Sequence, residues 1–427
     1  MSIIIKIFKA KTLSLLMICL LGTTSLHCGD LNLYLRNLSA DSVSNVLLID
    51  KSKQSLFVVR SNLPGNVQAL DSFRISTGKV DGNKEVEGDH KTPEGIYDII
   101  ATISGNQLPA KYGPLAFVLN YPNHIDRIYG RNGSNIWIHG RDEEIVDRQT
   151  EGCVSLENGK LLLLSDFIQL NKTPVIIIDR LDHSGGSPEV LRFTFTDSLF
   201  NNWLNYWNTG DIESYAKYYS PYFKSQSQTD RTQHLTTKKQ LEQIYNWKKV
   251  SADQVWLLQS DHEARINFQQ EYLCPKFYSR GYKQLVLMWS DSCWQIVDEN
   301  FSALIPRIYT EPVLRSFLKS WETAWEAADS LQYISHYDSS FASSQYSSLN
   351  DWYSYKRALF SRAHHINISI SDIRITSPTE YQWIVSFQQD YTSDNYRDRG
   401  RKTLYITGHP KDPGTFKIIN ETWKEIK

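Results

Sequence analysis

The sequence predicts an α+β chain, with a mostly β unit at residues 29–181 followed by two tandem α+β units at 189–305 and 306–427. Three observations carry that prediction. Short apolar or alternating runs, the pattern of strands, fill the first unit. A small-residue stretch, Asp182-His183-Ser184-Gly185-Gly186-Ser187-Pro188, then breaks the chain. Beyond it the sequence repeats itself at a spacing of about 120 residues. Length agrees, since 427 residues at roughly 150 per domain give about three units, and 41% hydrophobic content can bury more than one core.

In the first unit, Val46-Leu47-Leu48-Ile49-Asp50 and Gln54-Ser55-Leu56-Phe57-Val58-Val59 are expected to be strands joined by the polar turn Lys51-Ser52-Lys53. Further strands fall at Phe117-Val118-Leu119 and Ile136-Trp137-Ile138, with a short helix over Leu161 to Leu170. The Val/Ile run from Pro174 to Asp179 closes the unit as a buried strand. Residues 182–188 have the composition of a linker.

The internal repeat aligns Trp203 and Trp207 with Trp321 and Trp325. Phe268-Gln269-Gln270-Glu271-Tyr272 recurs as Phe387-Gln388-Gln389-Asp390-Tyr391, and Arg280-Gly281 as Arg399-Gly400. Trp294-Gln295-Ile296-Val297 is echoed by Phe416-Lys417-Ile418-Ile419. Each copy opens with an amphipathic helix and ends in three or four alternating strands, the order of a small α+β domain. A period this long marks duplication of a whole domain and not a solenoid. The tryptophans, spaced i, i+4, share a helix face and are expected in the core. The layout resembles the cone-shaped nuclear-transport-factor-two-like domains, which implies helices over a curved sheet and a pocket for a small ligand or a protein partner.

With 46 basic and 47 acidic residues and no basic stripe interleaved with aromatics, the chain lacks the electrostatic footprint of nucleic-acid binding. Lys6, Lys9 and Lys11, the apolar run Leu13 to Gly22 and the polar Thr23-Thr24-Ser25 have the layout of a secretory signal peptide, residues 1–28. The run falls short of the roughly 20 residues that a spanning helix needs. Leu26-His27-Cys28 raises lipid attachment at Cys28, which the bulky His27 disfavours. Of the five cysteines, Cys19 lies in this leader, and Cys274 and Cys293 are either joined in an oxidising compartment or both reduced and buried. Cys153 remains as a candidate reactive thiol.

Chemistry concentrates at Ile136-Trp137-Ile138-His139-Gly140 and Thr150-Glu151-Gly152-Cys153-Val154-Ser155-Leu156, which set a His and a Cys beside glycines among strand-like residues. A thiolate is the attacking species, and a neighbouring imidazole can take the thiol proton and later return it to a leaving amine. Cys/His clusters with metal-ligand spacing, Gly-x-Gly-x-x-Gly and Walker-type loops are absent from the sequence, so no metal or nucleotide cofactor is implied. His90 and His124 read as turn or surface residues.

This pattern resembles the YkuD-type L,D-transpeptidase family, in Thr150, Gly152, Cys153 and Val154 after the His139-Gly140 strand. The resemblance extends upstream to Gly88-Asp89-His90-Lys91-Thr92-Pro93-Glu94-Gly95 and Asn120-Tyr121-Pro122-Asn123, about residues 45–180. It implies Cys153 as nucleophile, His139 as general base and acid, the Gly140 carbonyl orienting His139, and Gly152 at the oxyanion hole. It also implies peptidoglycan stem peptides as substrate, export to the periplasm, and no cofactor. Thr150, Ser155, Arg141, Thr92 and Pro93 are the residues expected to contact substrate.

Two positions depart from the family pattern. Many such enzymes carry His before the Gly-Cys and Arg two residues after the cysteine, where this chain has Glu151 and Ser155. An arginine fork grips carboxylates bidentately, and Arg141 is the candidate replacement. The upstream motif and the appended C-terminal unit are most similar to the helical-cell-shape L,D-carboxypeptidases, which carry one such module where this chain has two. Trimming of tetrapeptide to tripeptide therefore leads over crosslinking. Attachment or release of a wall lipoprotein, and a non-catalytic wall-binding scaffold, are the other readings.

Overall fold

The computed structural model describes residues 31, 34–37, 45–63, 66–181, 188–225, 228–394 and 396–426. The expected leader, Cys28 and residues 182–187 of the expected linker lie outside them. Pro188 opens a helix.

The first unit is built on strands β1 (Leu35–Asn37), β2 (Val46–Asp50), β3 (Ser55–Leu63), β4 (Asn66–Arg74), β5 (Gly95–Ser104), β6 (Leu115–Leu119), β7 (Trp137–Arg141), β8 (Val154–Glu157) and β9 (Pro174–Ile178). Two short helices, α1 (His124–Ile128) and α2 (Asn158–Ser165), lie between strands. Strands β2 to β9 form one sheet in the order β4-β3-β2-β9-β5-β6-β7-β8, in which β2 and β9 pair parallel and so do β7 and β8. Every residue of β2 and β9 is buried. Leu47, Ile49, Val175 and Ile177 enter the core of this unit, whereas Val46, Leu48, Ile176 and Ile178 pack on the other face with Leu31, Tyr34, Leu35 and Leu258. Burial on both faces explains why these strands read as unbroken apolar runs instead of alternating ones. Each such side chain contributes about 1.5–3 kcal/mol.

Strands β4, β5 and β8 are not among those expected, β6 begins earlier at Leu115, β7 runs from Trp137 to Arg141, and two further elements shift for identifiable reasons. Strand β3 starts at Ser55 because Gln54 closes the preceding turn at φ 48, its buried amide donating to the Lys51 carbonyl (2.6 Å) and to Thr77 Oγ1 (2.7 Å). The helix expected over Leu161 to Leu170 spans Asn158–Ser165, since the chain turns at Gln169, whose N–H donates to Thr173 Oγ1 (2.9 Å), to feed β9.

The first repeat comprises α3 (Pro188–Thr209), α4 (Ile212–Ala216), α5 (Arg231–Ile244) and strands β10 (Lys249–Gln259), β11 (Glu263–Leu273), β12 (Phe277–Ser290) and β13 (Cys293–Ala303). Its antiparallel sheet also takes in β1, which pairs with β10, and β14 (Ile308–Tyr309), which pairs with β12. The second repeat comprises α6 (Thr310–Glu326), α7 (Ser330–Ile334), α8 (Leu349–Phe360) and the sheet β15 (Asn367–Thr376), β16 (Gln382–Ser393), β17 (Tyr396–His409) and β18 (Asp412–Glu425). Cys274 is buried and Cys293 exposed, and both are free thiols.

The duplication extends to buried hydrogen bonds. Trp203 Nε1 donates to Tyr219 Oη (3.2 Å), which meets Tyr215 Oη (2.5 Å) and donates to Glu299 (2.8 Å), itself paired with Lys283 (2.6 Å). Trp321, Tyr337, Tyr333, Glu421 and Lys402 repeat the chain at 3.1, 2.6, 2.7 and 2.5 Å. The four tryptophans are thus core residues, as expected, and the indole N–H groups of Trp203 and Trp321 anchor a polar network through each core. Removing one hydroxyl orphans its partners, so Tyr219→Phe and Tyr337→Phe are each expected to destabilise by about 1–3 kcal/mol. Urea-unfolding midpoints check this, and a fall confined to one variant would contradict the equivalence of the two networks.

Candidate active site

His139, Arg141, Cys153 and Ser155, all expected site residues, gather at the last two strands of the first sheet. Ile138 on β7 and Val154 and Leu156 on β8 enter the core, so the alternate residues face the other way. His139 lies in register with Ser155 across the parallel pair, and Cys153 immediately precedes β8. Alternation therefore sets His139, Arg141 and Ser155 on the outer face of adjacent strands, with Cys153 at its edge.

His139 is buried, and its Nδ1 lies 2.8 Å from the carbonyl oxygen of Gly140. A carbonyl can only accept, so Nδ1 bears the proton and Nε2 is left with its lone pair. The edge of Tyr112 packs against the imidazole at 4.9 Å between centroids. Burial holds His139 below the usual histidine range, opposed by the Gly140 carbonyl and reinforced by Arg141 and Lys111. The Cys153 thiol donates to the Asn135 carbonyl at 3.3 Å. Burial pushes it up to about 11, against the smaller pull of the Trp137 N–H and the Lys84 ammonium. The resting pair is thus thiol and neutral imidazole. Such a pair is suited to base-assisted attack and not to attack from a preformed thiolate.

Backbone around the cysteine is held from several sides. Thr92 is buried, its Oγ1 donating to the Gly152 carbonyl (3.0 Å) and accepting from the Gly78 N–H (2.8 Å). Because the peptide is planar and trans, a carbonyl turned toward Thr92 turns the Cys153 N–H the opposite way. Thr150 Oγ1 accepts from the Gly152 N–H (3.1 Å) and donates to the Cys153 carbonyl (2.6 Å), closing the turn. Both threonine hydroxyls are therefore engaged by backbone. Gly152 has φ +128, and a Cβ there would stand 2.8 Å from the Lys91 carbonyl. Gly140 is similarly confined, since a Cβ would reach within 2.2 Å of Asn158 Oδ1.

The remaining expected residues take different places. Pro93 is buried in the turn between Thr92 and β5. Arg141 lies beyond His139 on β7 with its guanidinium against Glu143. The Ser155 hydroxyl is buried and has no hydrogen-bond partner among the described residues. Glu151 points to solvent, between Lys79 and His90, and Lys79 is the main group holding its carboxyl below the usual range. His124 opens α1, outside this cluster.

Sequence reasoning missed Lys84, Asp89, Asn135 and Tyr112. Lys84 is buried and pairs with Asp89 at 2.7 Å. Burial would raise Asp89, but Lys84 and the backbone N–H groups of Glu85, Val86 and Lys91 outweigh it and hold the carboxyl at about 2. The one available signal was the polar, glycine-rich composition around Gly88-Asp89.

A larger cavity, about 720 Å³, lies in the second repeat and is lined by Trp325, Trp352, Lys356, Tyr391, Lys402 and Glu421 among others. Lys356 sits over the Trp325 ring at 3.7 Å, and burial lowers its ammonium to about 7. Arg280 and Arg399 pair with Glu271 and Asp390 on neighbouring strands.

Known proteins resemble parts of this chain. Residues 44–177 match the YkuD L,D-transpeptidase catalytic domain, and residues 195–300 and 313–422 each match the Cds6 C-terminal NTF2-like domain. YafK of Escherichia coli strain K12, named provisionally as an L,D-transpeptidase, is 35% identical over 94 residues, which are 21% of this chain and 34% of that protein. The chain thus matches about a third of the length of this curated relative. Among solved structures, Bdellovibrio bacteriovorus Bd1075 is 29% identical with a TM-score of 0.56, covering 64% of this chain and 98% of its own. The helical cell shape determining protein Pgp2 from Campylobacter jejuni is 26% identical with a TM-score of 0.48, covering 63% and 95%.

Substituting Gly152 tests the turn. Gly152→Ala is expected to fold with a stability loss of about 1–3 kcal/mol and, if the Cys153 N–H serves as the oxyanion donor that the family resemblance implies, to lower turnover by about 10²–10³. Steady-state kinetics beside urea unfolding check this, and near-normal turnover would exclude that role for the Gly152–Cys153 peptide.

Proposed function

From the premise that the chain belongs to the YkuD-type L,D-transpeptidase family, with two Cds6-type NTF2-like domains behind the catalytic one, we propose that it is an exported cysteine-dependent L,D-carboxypeptidase of peptidoglycan. The observation that carries this reading is the neutral His139, its Nδ1–H held by the Gly140 carbonyl and its Nε2 unprotonated, on the strand beside Cys153. In the proposed reaction His139 takes the thiol proton as sulfur attacks the carbonyl at the L-centre of the third stem residue. The peptide bond breaks, His139 returns the proton to the amine of the departing D-alanine, and a thioester remains. Water, deprotonated by the same imidazole, then releases the tripeptide and regenerates the thiol.

Ser155 and Arg141 are the proposed substrate contacts. The unsatisfied Ser155 hydroxyl supports a polar contact at the position where relatives carry arginine, and Arg141 lies on the same face for a stem carboxylate. Thr92, Thr150 and Pro93 are proposed to support the cleft through backbone. An amine in place of water at the thioester would give a crosslink by the same first step. The cavity beside Lys356 is the proposed ligand site of the C-terminal repeats. Export rests on the basic and apolar composition of residues 1–28.

Purified protein lacking residues 1–28, incubated with disaccharide tetrapeptide, is expected to yield tripeptide and free D-alanine by mass spectrometry, with Cys153→Ala inactive. Cys153-dependent crosslinked dimers would replace trimming with transpeptidation, and no conversion would remove both. The pH profile tests the resting state. The base must be neutral, and its pKa lies below the ordinary 6.5, so kcat/KM is expected to rise through a midpoint below pH 6.5 and then stay flat well past neutrality, because the thiol ionises near 11. An acid limb centred above pH 7 would contradict the neutral pair.

A further inference from the structure

The first repeat buries a charged pair against the catalytic unit. Glu263 and Arg265, on β11, are 2% and 5% exposed. Arg265 Nη1 donates to both oxygens of Asp98 (2.8 and 2.9 Å), Nε donates to Glu263 Oε1 (3.0 Å), and Nη2 donates to the Ile96 carbonyl. Glu263 Oε2 accepts from the Ile96 N–H (3.0 Å) and from Asn123 Nδ2 (2.8 Å).

Both backbone groups of Ile96 are thus satisfied by side chains of the first repeat. On its other edge β5 pairs with β9, from Gly95 to Asp98, whereas pairing with β6 begins at Ile99. Glu263 and Arg265 therefore stand where a neighbouring strand would, one supplying the acceptor and the other the donor. Burying such charges is costly, so a cluster of this kind contributes more to a defined geometry than to stability.

The chain held at Ile96 leads within four residues to Thr92. Lys51 Nζ ties this segment further, donating to the Thr92 carbonyl (3.1 Å) and to Glu94 (2.6 Å). Thr92 in turn holds the Gly152 carbonyl beside Cys153. A path thus runs from the first repeat through hydrogen bonds to Ile96, along the backbone from Ile96 to Thr92, and through the Thr92 hydroxyl to the peptide bearing the nucleophile.

We propose that Glu263 and Arg265 are positioning residues of the active site, acting through the Thr92–Ile96 segment on the Gly152–Cys153 peptide. The first repeat then completes the catalytic unit. This inference rests on the proposed carboxypeptidase reading for its kinetic consequence only.

The experiment uses the chain lacking residues 1–28, with Arg265→Lys, which keeps the charge and loses the fork, and Asp98→Asn, which weakens the same clamp from the catalytic side. Trp247→Phe is the control, since Trp247 Nε1 donates to the Ser377 carbonyl (3.0 Å) between the two repeats. Circular dichroism and urea unfolding establish the folded fraction. Both clamp variants are expected to lower kcat per folded molecule about tenfold or more, with KM changed less than about threefold, because small misplacement of a nucleophile penalises the chemical step. Hydrogen exchange by mass spectrometry is expected to quicken at residues 92–96 and 150–154, and Trp247→Phe to change neither readout. Wild-type kcat and exchange in folded Arg265→Lys or Asp98→Asn, or an equal kcat loss in Trp247→Phe, would overturn the proposal. A wild-type chain that releases no D-alanine would defeat the carboxypeptidase reading, and exchange at residues 150–154 would then decide the positioning role.

Discussion

The parallel pairing of β2 with β9, buried on both faces, is the constraint on which the architecture depends. One face completes the core under the catalytic strands. The other meets Tyr34, Leu35 and Leu258 and so joins the first unit to the first repeat. An interior strand buried on both sides has no solvated face to present. The repeat is for this reason part of the packing of the catalytic unit, and the charged contacts of Glu263 and Arg265 lie at the edge of this apolar junction.

Desolvation governs the chemistry that follows. The thiol and the imidazole are both buried enough for their charged forms to be disfavoured, and no strong charge at the site reverses this. Lys84, a cation that acts on the thiol, is paired with Asp89. In the proposed reaction, reactivity then depends on geometry, namely a fixed imidazole tautomer and a cysteine peptide pinned by Thr92 and Thr150, more than on a standing thiolate.

The two repeats preserve one buried network while their surroundings diverge. Lys238 and Lys356 occupy matching places over Trp207 and Trp325, and burial lowers the first to about 8 and the second to about 7. Beside them, His234 packs against Tyr219 in the first copy, whereas Trp352 packs against Tyr337 in the second and lines the large cavity. The first copy spends one face of its sheet on the catalytic unit, where Val286, Met288 and Val297 cover Ile125.

Much of this was legible in the sequence. Alternation and apolar runs located β2, β3, β6, β7 and β9 to within a few residues, because side-chain direction follows from the backbone period, and left β4, β5 and β8 unplaced. The duplicated Trp, Gln and Arg-Gly positions revealed two copies of one domain. His139 and Cys153 stood out from the motif, and the fold sets His139 on β7 with Cys153 just before the adjacent β8. Other features arise only when distant segments meet. Gln54 left its expected strand because its amide found Thr77, and Thr92, read as a substrate contact, has its hydroxyl engaged by Gly152 and Gly78. The neutral state of His139 and Cys153 and the grip of Glu263 and Arg265 on β5 were likewise unreadable. Local periodicity is written along the chain, whereas desolvation and hydrogen bonding between remote residues exist only after the chain has folded around them.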